Sequence, residues 1–129
     1  MHAAAPMHLY DTSRSEVAAF APGETVTMYV CGPTVYNYAH IGNLRAFMFE
    51  DLLRRWLEYR GFTVTHVMNV TDVEDKIIRT VRETGRPLDE VTQFYTAEFF
   101  RDLDTLNIKR AHVTDRKSTR LNSSHSSVS

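Results

Sequence analysis

The chain has 129 residues, room for one compact domain, and its 43% apolar and 24% charged content is that of a globular protein rather than a disordered or fibrous one. A formal net charge of −1 excludes a strongly basic nucleic-acid-binding module, and a single cysteine, Cys31, excludes an internal disulfide framework. No apolar run reaches the roughly 20 residues that a membrane helix needs, and residues 1–6 lack the basic start and long apolar stretch of a signal peptide, so a cytoplasmic protein outside the membrane is expected.

In chain order, Thr25–Cys31 is rich in β-formers and follows Pro22-Gly23, which predicts a strand that Gly32-Pro33-Thr34 breaks. A long amphipathic helix follows from about Ile41 to Tyr59, with Ile41, Leu44, Met48, Leu52, Trp56 and Tyr59 as its apolar stripe and Gly61 as its stop. Arg54, Arg55 and Arg60 then belong to a solvated face, and Trp56 to packing between elements. Phe62–Val70 reads as a second strand. Strand, helix and strand make a βαβ unit, hence parallel strands and a right-handed crossover. A further helix is expected over Val73–Thr84, ending at Gly85. Another is expected from Pro87 to about Leu106, with Leu88, Val91, Tyr95, Phe99, Leu103 and Leu106 as its stripe. There is no internal repeat. The fold class is α/β, with a Rossmann-like domain over residues 1–114.

From Asp115 onward six serines and only two aliphatic residues, Leu121 and Val128, leave too little apolar surface to offset ordering entropy. Residues 115–129 are therefore expected to be a disordered tail. Asp115–His125 also matches the translation of a common sequencing-library adaptor, so read-through is expected, with the native protein continuing past Thr114.

In an open parallel sheet, ligands bind beyond the carboxyl ends of the strands. Cys31–Asn43 lies there, joining the first strand to the long helix. A helix N-terminus offers free N–H groups to phosphate, Gly42 gives close access to the backbone, and His40 and Asn43 add polar side chains. On spacing alone His40 is equally well a capping or core histidine. Thr71 or Asp72 can cap the helix that follows them, and Asp72, Glu74 and Asp75 suit a helix N-terminus. A lone cysteine such as Cys31 is more often a small buried hydrophobe than a ligand.

His40-Ile41-Gly42-Asn43 resembles the HIGH motif of class I aminoacyl-tRNA synthetases. Met28–Tyr36 resembles the strand and loop of the cysteinyl branch of that family, and Asn69–Ile78 its other N-terminal signature. Leu9-Tyr10-Asp11-Thr12 is similar to its opening strand, so the resemblance covers about residues 7–113. It implies the first half of a class I catalytic domain, the βαβ unit plus the following helices. The implied reaction is ATP-dependent activation of cysteine to cysteinyl-adenylate, then transfer to tRNA(Cys), with ATP accompanied by Mg. By the same resemblance His40 and Asn43 are catalytic, and His40, Ile41, Gly42 and Asn43 bind ATP. Gly32, Thr34 and Thr71 contact cysteine, and Cys31 is a ligand of a zinc ion that grips the substrate thiolate and disfavours serine. Asn43 replaces the last histidine of the motif, keeping a donor and an acceptor but losing the possibility of positive charge.

The family's other zinc ligands and its lysine- and serine-rich second signature loop lie downstream, so this piece alone is expected to be inactive and to bind zinc weakly or not at all. His66 and His112 do not stand at matching positions. Two alternatives remain: the cysteine ligase of mycothiol biosynthesis, or a non-catalytic nucleotide-binding module that binds ATP by itself. Lys76 and the Thr34-Val35-Tyr36 loop look more like the tRNA enzyme. Half a parallel sheet is also expected to leave an open edge and an uncovered apolar face, with poor solubility.

Overall fold

A computed structural model describes residues 6–119. It opens on an antiparallel hairpin, β1 (Met7–Asp11) with β2 (Glu16–Phe20), the second of which the sequence reading did not anticipate. The Asp11 carboxylate turns the chain by accepting hydrogen bonds from the Ser13 N–H and hydroxyl, at 2.9 and 2.6 Å. Three parallel strands follow: β3 (Thr25–Val30), β4 (Thr63–Val70) and β5 (Val113–Arg116), in the order β3-β4-β5. Helix α1 (Ile41–Tyr59) links β3 to β4, while α2 (Asp75–Thr84) and α3 (Leu88–Thr105) link β4 to β5. This is a Rossmann-like α/β arrangement, as the pattern of alternating strands and helices requires.

Alternation along the strands decides which sheet face is covered. Val26, Val30, Val64, Met68 and Val70 are buried beneath the helices. Phe47 of α1 and Phe99 and Leu103 of α3 pack with Val30 and Met68, and farther along α1 Leu57 packs with Val26 and Val64. The opposite face carries exposed Thr25, Thr27, Thr63 and Thr65, with Tyr29 55% exposed. That face is mixed: its threonines are polar, but the cross-strand row Tyr29–Val67–Val113 is apolar and uncovered, with Val113 51% exposed. A second uncovered apolar face is on α1.

The apolar stripe assigned to α1 is in fact its outer side. Ile41, Met48, Leu52, Trp56 and Tyr59 are all exposed, and only Leu44 of that set leans on the core. The inward side is Phe47, Asp51, Arg54 and Leu57. Arg54 is thus buried, not solvated, because polar partners surround it. Its guanidinium meets Glu58 at 2.8 Å, the Arg110 carbonyl at 2.8 Å, His66 Nδ1 at 3.2 Å and His112 Nε2 at 3.2 Å. Asp51 accepts from Arg55 and from the Lys109 N–H, and Lys109 Nζ reaches Glu58 at 2.6 Å. Lys109 and Arg54 hold the Glu58 carboxyl down at about 2. Burial, then the Arg54 charge, lowers His66. This latch ties α1 to the segment leading into β5.

Both long helices end in Schellman motifs. After α1, Phe62 N–H donates to Leu57 and Gly61 N–H to Glu58, with Gly61 at φ 96. After α3, Ile108 N–H donates to Leu103 and Asn107 N–H to Asp104, with Asn107 at φ 55. The second motif turns Ile108 into the core where Leu106 was expected, and leaves Leu106 38% exposed. Helix α2 begins at Asp75 rather than Val73, and Pro87 stands just before α3.

The boundary expected at Asp115 falls inside an element. β5 runs to Arg116, and the buried Asp72 carboxylate accepts from the Ser118 N–H and hydroxyl at 2.9 and 2.5 Å. Asp115 and Arg116 thus belong to the sheet, Ser118 in the helical turn that follows is tied to Asp72, and the rest of the expected tail, 120–129, lies outside the described residues.

Candidate active site

Beyond Val30 the chain leaves β3 but stays zipped to the end of β4. Thr34 and Thr71 form a parallel bridge, in which Val35 N–H donates to the Thr71 carbonyl and Thr71 N–H to that of Pro33. Gly32 is pressed still closer. Its N–H donates to Asn69 Oδ1 at 2.8 Å, and a Cβ there would stand 1.8 Å from the Asn69 carbonyl oxygen. Only glycine allows this approach. The Gly32 N–H is therefore already used, which leaves its carbonyl for a ligand.

His40 sits at the N-cap of α1 in a capping box. Its Nδ1 accepts from the Asn43 N–H and its own N–H donates to Asn43 Oδ1, both at 3.3 Å. Because Nδ1 accepts, a neutral ring carries its proton on Nε2, which leaves that nitrogen a donor. The capping and ligand readings of His40 are thus compatible. Gly42 serves this ring directly: a Cβ at Gly42 would lie 2.9 Å from the His40 Cε1. No acidic residue occupies the first turn of α1, so its positive end is uncompensated.

These segments enclose a cleft of about 420 Å³. Gly32, Thr34, His40 and Asn43 line it, with Tyr36, Tyr38, Lys76, Tyr95 and Phe99 completing the walls. Tyr38 meets Tyr95 edge-on at 5.2 Å between ring centroids. Of the remaining sequence candidates, Thr71 stands behind Thr34 across the bridge, and Ile41 and Gly42 lie on the helix outside the lining. Cys31, next to Gly32 in the chain, is exposed and outside the lining, and is not a buried hydrophobe. Neither Thr71 nor Asp72 caps α2. Glu74 does, accepting from the Lys76 N–H at 2.9 Å.

Zinc in a catalytic site takes about three protein ligands. Among the described residues no three His, Cys, Asp or Glu side chains gather to hold a metal. The residues present do not make a zinc site by themselves. The sequence reading missed Asn69 as the clamp on Gly32. It also gave Lys76 no place in the site. The signal for both was their position inside the Asn69–Ile78 signature.

Comparison with known proteins bears on the same residues. The family model described as tRNA synthetases class I (C) catalytic domain matches residues 18–128. The chain is 55% identical over 106 residues to "Cysteine--tRNA ligase" of Chlamydia pneumoniae, covering 81% of this chain and 22% of that protein. It is 54% identical over 109 residues to the protein of the same name from Clostridioides difficile (strain 630), covering 83% and 23%. With that from Geobacillus thermodenitrificans it shares 46% over 112 residues, covering 85% and 24%. The chain spans less than a quarter of the length of the curated relatives it matches.

Proposed function

The chain belongs to the family of class I (C) tRNA synthetase catalytic domains, and on that premise we propose that it is the nucleotide-gripping part of an enzyme that activates cysteine with ATP and passes it to tRNA(Cys). The observation that carries this reading is the single cleft in which Gly32 and Thr34 from the end of β3 face His40 and Asn43 from the start of α1. One side presents a helix N-terminus and an imidazole donor suited to phosphate, the other a short polar loop suited to an amino acid.

In this reading the cysteine carboxylate oxygen attacks the α-phosphorus of ATP. The bond from that phosphorus to the bridging oxygen breaks, and pyrophosphate leaves with the electron pair. His40 Nε2 and the N-terminus of α1 hold phosphate oxygens as charge builds on them, so the protein contributes positioning and electrostatics. Asn43 holds His40 in place through the capping box, and its side-chain amide N–H groups remain for an ATP oxygen. Thr34 and Thr71 shape the amino-acid side. Cys31 can supply one thiolate to a zinc ion completed by residues outside this chain, and a bound zinc would favour a thiol over a hydroxyl substrate. Tyrosine-lined walls suit the base or ribose of a nucleotide. Mg accompanies ATP as part of the substrate. A cytoplasmic site of action fits a chain in which no described helix is long and apolar enough to cross a membrane.

The test is a chimera in which residues 7–114 replace the matching segment of the Chlamydia pneumoniae relative. Cysteine-dependent exchange of pyrophosphate into ATP is expected, and His40→Ala should lower it by about 10²-fold, the usual effect of removing such a donor. A folded chimera without exchange, or a His40→Ala variant at near-normal rate, overturns the assignment.

A further inference from the structure

Among the described residues Lys76 is the one lysine or arginine in the cleft lining, and the activation step proposed for the cleft gives it no role. Its side chain lines the same cavity as Gly32, Thr34 and His40, from the first turn of α2. No aspartate or glutamate lines that cavity, although the chain holds 16 of them. The ammonium stands over the Tyr36 ring, 5.5 Å from its centroid, within the reach of a cation–π contact. The neighbouring carboxylate of Glu74 is turned to the backbone instead, where it caps α2 through the Lys76 N–H. Among the described residues no carboxylate forms a salt bridge with Lys76.

The placement is built rather than incidental. Ile77, the next residue, is fully buried against Val35 and Val70, and Tyr36 packs on the same cluster. The backbone of Lys76 and the ring beneath its ammonium are therefore fixed relative to each other and to the bridged loop at Thr34. A cation held by a ring keeps its N–H groups free for an incoming acceptor.

We propose that Lys76 is an anion-binding residue of this cleft, taking a carboxylate or phosphate oxygen of the reactants. This rests on the reading of the cleft as a cysteine-activating site and deepens it. His40 and the α1 N-terminus supply one positive feature and Lys76 a second, so two anions that repel each other in water can be brought together between them.

The experiment titrates the full chain, as wild type, Lys76→Gln and Lys76→Arg, with three probes followed by NMR shifts: L-cysteine, L-cysteine methyl ester and inorganic pyrophosphate. Lys76 is exposed on its helix, so Gln should leave the fold intact, and the spectra check this. Lys76→Gln should weaken anion binding by about tenfold, the scale of one hydrogen bond to a charged group, and Arg should restore most of it. Weaker cysteine binding with the ester unaffected identifies the carboxylate as the partner. Weaker pyrophosphate binding identifies phosphate. If wild type binds cysteine or pyrophosphate and Lys76→Gln binds them equally well, the Lys76 inference falls and the cleft assignment stands. If wild type binds none of the three, the Lys76 inference falls, while the cleft assignment is judged separately by pyrophosphate exchange in the chimera.

Discussion

At the scale of single residues, the cleft depends on small atoms and short bonds. Gly32 is needed because the Asn69 backbone occupies the space a Cβ would take, and a Cβ at Gly42 would press on the His40 ring and make it shift. Both glycines stood in recognisable motifs. The crowding that demands them comes from residues folded back onto the chain or brought across from β4, which no local spacing displays. Glu50 is a case the sequence does not flag at all. It looks like one more charged residue on a helix, yet burial pushes its carboxyl up to about 7. A carboxyl raised in the folded state stabilises it at low pH, below its ordinary value near 4.5, and that contribution is lost as pH rises through about 7. Glu50→Gln should therefore melt at a higher temperature than wild type at pH 8, and the gain should nearly vanish below about pH 4. Thermal melts at the two pH values check this, and an equal gain at both would remove burial as the cause.

At the scale of elements, α1 inverts its apparent polarity. Its outer stripe carries Leu52 and Trp56, while its inner side carries Asp51 and Arg54. The reason is apolar residues on more than one side of the helix, which leaves the choice of buried face to the neighbours. Those neighbours are Glu58, the Arg110 carbonyl and two histidines, a set that satisfies a buried guanidinium. Removing one partner of such a network strands the others. Arg54→Met should cost about 3 kcal/mol in urea denaturation of this chain, whereas Trp56→Ala, on the exposed side, should cost under about 1 kcal/mol. The reverse ranking would restore the face read from the sequence. Helix α3 shows the opposite case. Val91, Phe99 and Leu103 repeat at helical spacing with no rival apolar side, and they are the residues the core takes.

At the scale of the whole molecule, the sheet is closed by polar ties as well as by packing. The Arg54 latch fixes the approach to β5, and Asp72 fixes its exit through Ser118. Composition placed Ser118 outside the fold because serine buries little apolar surface. A strand can nevertheless be held by backbone pairing, as Val113–Arg116 is to β4. Asp72→Ala should speed tryptic cleavage after Arg116 and Lys117, read on a gel time course, with the cleavage of other sites unchanged. No acceleration would mean that the strand alone holds this segment.

What the sequence determined by itself was the order of strands and helices from Thr25 to Thr105, their parallel pairing, and the motifs that surround the cleft. Those follow from local periodicity, from turn residues and from motif spacing, all written along the chain. Tertiary structure alone decided which side of α1 is buried, that Asn69 clamps Gly32, that Glu74 rather than Thr71 caps α2, and that Lys76 joins His40 in one cavity. Each of these depends on which distant groups satisfy a charge or a backbone donor. That choice is made only when residues tens of positions apart come within a few ångströms.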